Sequence, residues 1–268
     1  MNRGMGKMRL IIMLVIAGFS VLSFFGKTSV NPITGESQRV GLTRDQEIAM
    51  GLQAAPEMAA QFGGMYTDER VQQSVKALGK KIVAQSIAAQ SGYPFDFHVL
   101  ADDQTVNAFA LPGGPIFITV ALFSRLKTED QLAGVLGHEI GHVIGRHSAE
   151  HIAKQELTQG LTGAVVMGAG SYEMAQVARM VGGLINMKYG REDELEADKF
   201  GVCFIESAGY DPAALVDVMK ILAEASGGAS RAPEFASTHP APENRMQQIE
   251  AHLRNLGQVC AFQPVPQQ

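Results

Sequence analysis

The segment from Thr128 to Ile144 constrains the fold more than any other. Thr128-Glu129-Asp130-Gln131 reads as a capping box, and Leu132, Val135, Leu136, Ile140 and Val143 then recur at helical spacing. A helix this apolar belongs in a core, yet it carries His138, Glu139 and His142. Imidazoles at i and i+4 project from one face, and polar groups buried there need partners. Whatever the chain folds into must therefore bring further polar groups to that face. The pair suits two of the four positions around a tetrahedral zinc ion, with Glu139 placed to reach a water on the same ion.

A third protein ligand has to come from elsewhere. Where a longer zinc pattern would have a third histidine, position 148 is Ser. On a continuing helix His147 lies about 180° from His138, so it points away and reads as a hydrogen-bonded structural histidine. His151 is turned away as well. Residues 192–198 instead crowd five acids into seven positions at the start of a helix ending near Gly209. Glu192 and Asp193 read as solvated acids favoured by the helix dipole. Glu194 and Asp198 form an i,i+4 pair, with Glu194 as ligand and Asp198 as the partner that orients a zinc-binding histidine. Spacing alone leaves Glu192/Glu196 open as the alternative pair.

The rest of the chain bounds the class. Of 268 residues 46% are hydrophobic and 18% charged, enough apolar material for a large core, which excludes a disordered chain. A net charge of −5 leaves no basic footprint for nucleic acid. Two cysteines, Cys203 and Cys260, are too few for a disulfide scaffold; they either pair, as export would permit, or stand as buried thiols. Arg3, Lys7 and Arg9 precede an uncharged apolar run over residues 10–26 that Lys27 ends. This is a signal peptide or a single membrane anchor, with the body exported. A polar linker is expected over residues 27–42, one domain over 43–258 and a polar tail over 259–268. Helices over 43–62 and 68–86, strands over 95–100, 106–111 and 116–120, and helices thereafter imply a mostly helical α+β fold with a small sheet. The Gly-, Ala- and Met-bearing stretch over residues 160–187 reads as a buried helix pair or as a lid over the cleft.

With these residues in view the chain resembles a known family. It is similar to the HtpX-like and CAAX-prenyl-protease-like zinc metallopeptidases of the gluzincin type, and within them to periplasmic quality-control proteases. The resemblance rests on Asn107-Ala-Phe-Ala110 with Pro112-Gly-Gly114, on His138-Glu-Ile-Gly-His142 continuing to Arg146-His147-Ser148, and on Glu194-Leu-Glu-Ala-Asp198. Ala208-Gly-Tyr-Asp-Pro212 and Ser237-Thr-His-Pro240 with Arg245 complete it. It implies a zincin-like domain with its small sheet beside the active-site helix, and one zinc per chain on His138, His142 and Glu194, with Glu139 as catalytic base. It also implies that the loop of His239 lies close to the metal, where His239 regulates or fills the open position, and that Arg245 supports that loop or binds substrate. Either residue is a candidate second electrophile. Asn107, Ala108, Phe109 and Ala110 are expected on an edge strand to which an extended substrate adds. The expected partners are unfolded or misassembled polypeptides in the periplasm, with membrane contact through residues 10–26 and no nucleic acid. The competing reading is a chaperone with latent protease activity. Several relatives carry a lipid on a cysteine; no cysteine stands near residue 26 here.

Overall fold

The computed structural model describes residues 3–163, 189–227, 235, 238, 239 and 244–262. Helix α1 (Arg3–Gly26) opens the chain. It packs along α6 (His147–Gly163) and leaves Ile11, Leu14, Val15, Phe19, Leu22 and Phe25 exposed. Among the described residues no helix is long and apolar enough to cross a membrane. The residues read as a linker form instead an antiparallel hairpin, β1 (Thr28–Val30) with β2 (Ser37–Arg39). Two of its polar side chains are buried because they have work at a helix end: Asn31 Nδ2 donates to Ile144 O at 2.8 Å and Gln38 Nε2 donates to Gly145 O. They satisfy carbonyls that the end of a helix leaves unpaired.

Helix α2 (Arg44–Gln61) starts at Thr43 with both arms of the capping box made, and α3 (Glu69–Gln85) starts at Asp68. The three-stranded sheet has the order β3 (Asp96–Leu100), β5 (Pro115–Thr119), β4 (Ala108–Ala110). Strand β5 runs parallel to β3 and antiparallel to β4, so β4 is an edge. A short helix, α4 (Val120–Phe123), leads to α5 (Glu129–Ile144), which has Thr128 as its N-cap.

Helix α5 lies between the sheet and α7 (Arg191–Ser207), and every residue from Leu132 to Ile144 is buried. The two helices approach closely because small residues face each other. A β-carbon on Gly141 would stand 2.8 Å from Ala197 O, and one on Gly201 would stand 3.0 Å from His138 N. After α8 (Ala214–Gly227), α9 (Arg245–Arg254) and α10 (Leu256–Val259) close over α7, and Cys260 is disulfide-bonded to Cys203. The fold is thus α+β and mostly helical, with the small sheet beside the histidine-bearing helix. Residues 164–187, read above as a helix pair or lid, and 263–268, in the polar tail, lie outside the described residues.

Candidate metal centre

Helix α5 presents His138 and His142 on one face, and the first turns of α7 present Glu194 opposite. The Nε2 atoms of the two histidines are 3.1 Å apart, and each lies 3.5 Å from a Glu194 oxygen. His239 enters from the segment before α9, with Nδ1 3.0 Å from Glu194 Oε1 and 3.4 Å from His138 Nε2. These four residues offer ligand atoms within 4.8 Å of one another, and all four are buried. Two or three imidazole nitrogens and a carboxylate form the donor set zinc takes in hydrolytic sites.

Glu139 supports the same fit. It is fully buried, and among the described residues neither of its oxygens has a hydrogen-bond partner. Such a group is costly unless something occupies the space it faces. His239 Nε2 stands 3.7 Å from Glu139 Oε1, too far for a hydrogen bond.

The charges explain how so many ionisable groups share one cavity. Burial holds the Glu139 carboxyl above its ordinary range, against the pull of His239 and His138. Burial pushes Glu194 the same way, but His239 and Arg245 outweigh it and leave that carboxyl below its ordinary range. Burial would lower His239, and the facing Glu194 and Glu139 raise it instead. His142 is driven well below the ordinary histidine value by burial and by His138. Asp198 overcomes its burial through Arg245 and His138 and falls to about 2.

Asp198 Oδ1 stands 2.9 Å from His138 Nδ1, the nitrogen away from the candidate site. Arg245 grips Asp198 through Nε and Nη2, each at 2.7 Å, and places Nη1 2.7 Å from Glu194 Oε2. Its guanidinium is therefore spent on the two carboxylates of α7. Asn107 is buried at the start of β4; its N–H donates to Thr119 Oγ1 at 3.1 Å, and its carbonyl accepts from Thr119 N at 3.0 Å. Ala108, Phe109 and Ala110 are buried too. Phe235 N donates to Val106 O, two residues before this strand, and the Phe235 ring stacks on His239 with centroids 4.3 Å apart.

Several residues around the centre escape sequence reasoning. Helix α5 ends at Ile144, and Arg146 adopts a left-handed φ of 56°. His147 therefore begins a new helix, and its ring comes back to place Nδ1 2.8 Å from His142 Nδ1. The expectation that it points away assumed a continuing helix; that it is hydrogen-bonded holds. Asp193 is buried rather than solvated, and its Oδ2 lies 2.9 Å from His151 Nε2. Tyr189 stacks on His142 with ring centroids 3.9 Å apart. No periodicity marks Tyr189, because it precedes α7 in irregular backbone.

Comparison with known proteins places the site in a family. The model of peptidase family M48 matches residues 69–253. The beta-barrel assembly-enhancing protease of Yersinia pestis is 32% identical over 241 residues, covering 87% of this chain and 49% of that protein. Its Escherichia coli K12 counterpart is 30% identical over 233 residues, with 84% and 47% covered. The mitochondrial metalloendopeptidase OMA1 of Schizosaccharomyces pombe is 31% identical over 244 residues, with 89% and 70% covered. The chain spans about half the length of the two assembly-enhancing proteases. Two histidines and a carboxylate converging on one buried point, within a stretch that the family model covers from end to end, assign the chain to peptidase family M48.

Proposed function

We propose that the chain is an exported zinc endopeptidase that hydrolyses unfolded or misassembled polypeptides of the bacterial envelope. The observation that carries this reading is the buried Glu139 carboxylate, without a hydrogen-bond partner among the described residues, beside four converging donors. His138, His142 and Glu194 hold the metal. Zinc supplies Lewis-acid activation of water and of the scissile carbonyl. Glu139 accepts the proton of the attacking water and returns it to the departing amine, a task suited to a carboxyl raised by burial. His239 sits where it can fill the remaining position and hold the enzyme latent, or move and assist the oxyanion. Arg245 acts through Glu194 and Asp198.

Substrate binding by strand addition is supported by the alternation of the antiparallel pair β4–β5. Leu111 N donates to Pro115 O and Thr119 N donates to Asn107 O, so by the alternation of the pair the backbone groups of Ala108 and Ala110 point away from β5. Main-chain pairing there asks little of substrate sequence.

Zinc content and casein cleavage of the purified chain, its Glu139→Gln and its His239→Ala forms test the reading. We expect one zinc per chain, loss of at least about a hundredfold in turnover for Glu139→Gln, and faster cutting by His239→Ala. Absence of zinc would overturn the site. The second reading is a chaperone with latent protease activity, favoured by the burial of the whole donor set. Full zinc with no cleavage by any form would favour it.

Export through residues 1–26 is supported by the basic residues before the apolar run and by the apolar face that α1 leaves exposed. Fractionation of a bacterial host expressing the full chain should find it outside the cytoplasm, and removal of residues 1–26 should retain it inside. Equal distribution of both forms would rule this out.

A further inference from the structure

We infer that His147, anchored by Glu196, is a positioning residue that holds His142 in the tautomer and orientation needed to bind a metal. The inference rests on the reading of His138, His142 and Glu194 as ligands. His142 Nε2 faces the other donors, 3.1 Å from His138 Nε2 and 3.5 Å from Glu194 Oε1. A histidine that ligates through Nε2 carries its proton on Nδ1, and that proton needs an acceptor. The group at that nitrogen is His147 Nδ1, at 2.8 Å. His147 therefore accepts at Nδ1, which leaves its own proton on Nε2. That nitrogen lies 3.0 Å from Glu196 Oε2.

Proton counting thus gives the chain one direction, from His142 through His147 to the carboxylate. The reverse direction would put a proton on His142 Nε2 and close it to a metal. Behind His138, Asp198 Oδ1 stands directly at Nδ1, 2.9 Å away. One helix, α7, supplies all three carboxylates at alternate positions: Glu194 to the metal, Asp198 behind His138, and Glu196 behind His142 by way of His147. Tyr189, stacked on the His142 ring, blocks its rotation from the other side.

The backbone is shaped to permit this. The left-handed turn at Arg146 is a conformation that costs a non-glycine residue about 1 kcal/mol. It is held by Arg146 Nε on Glu47 Oε1 at 2.9 Å and by Arg146 Nη2 on Leu42 O at 2.7 Å. Gly145 has no side chain where His147 folds back; a β-carbon there would stand 2.7 Å from His147 Cε1.

The test measures zinc affinity of the full chain by competition with a chromophoric chelator, together with the visible spectrum of the cobalt form and melting of the metal-free protein. His147→Phe keeps the ring shape and removes both nitrogens, and His147→Asn restores an acceptor near Nδ1. Gly145→Ala displaces the His147 ring without removing a polar group. We expect His147→Phe to bind zinc about 10- to 100-fold more weakly with an altered cobalt spectrum. Gly145→Ala should follow it, and His147→Asn should recover most of the loss. Zinc affinity of His147→Phe within about twofold of the parent would overturn the inference and leave the metal site standing. Equal weakening by Phe and Asn, with a lower melting temperature in both, would reduce His147 to packing and overturn it too. A parent chain that takes up no zinc would overturn the inference and the site together.

Discussion

Arg245 shows how the centre is balanced at the scale of single residues. It is buried with three donor nitrogens on Asp198 and Glu194, and it compensates two carboxylates that burial would otherwise penalise. Substituting Arg245→Met should destabilise the metal-free protein by about 3–5 kcal/mol, because the buried charges are left unpaired. Urea titration measures this, and Arg245→Met combined with Asp198→Asn should cost less than the sum of the two. Strict additivity would mean that the pair does not couple. A lone arginine followed by amphipathic spacing looks like a helix surface in sequence, and its burial depends on acids about fifty positions earlier.

The contact between α5 and α7 decides whether the donors meet at all. Gly141 lies inside the histidine motif and faces Ala197, inside the acidic motif. Each segment announces a helix through its own periodicity, and each carries a small residue on the side of its candidate donor groups. Gly141→Ala should lower stability by about 1–3 kcal/mol, since the colliding atom is a backbone oxygen that cannot turn aside. It should also weaken zinc binding by moving Glu194 away. Gly134→Ala, on the same helix, is the control. Its β-carbon would meet atoms of Leu215 at 3.4 Å, an ordinary contact, so stability should hold or rise. Thermal melts and zinc competition on both forms check the pair, and equal melting temperatures would remove the close-packing argument.

For the molecule as a whole, the bond between Cys203 and Cys260 ties the C-terminal helices to α7, the helix that carries Glu194, Glu196 and Asp198. It closes a loop across a sequence separation of 57. Replacing both cysteines by alanine should lower the unfolding free energy by up to about 4 kcal/mol, the chain-entropy value for a loop of that size. The urea midpoint with and without reductant measures it, and identical midpoints would show that the bond adds nothing. The N-terminal hairpin does comparable work without a covalent bond, since Asn31 and Gln38 cap the end of α5 where it turns toward His147. Its buried polar residues gave it the look of a linker in sequence.

What the sequence by itself determined is local: two histidines one turn apart on an apolar helix, an acid pair on another, capping residues at Thr43, Asp68 and Thr128, and alternating strands. Helical and strand periodicity are set by neighbours three or four positions away, so one chain suffices to read them. Only the tertiary structure decided that His147 turns back onto His142, that Asp193 is buried, and that Arg245 joins Glu194 to Asp198. The turn at Arg146 illustrates the reason. It depends on Glu47, 99 residues earlier. No local pattern encodes a contact of that span, and burial of a polar group becomes affordable only when its distant partner arrives.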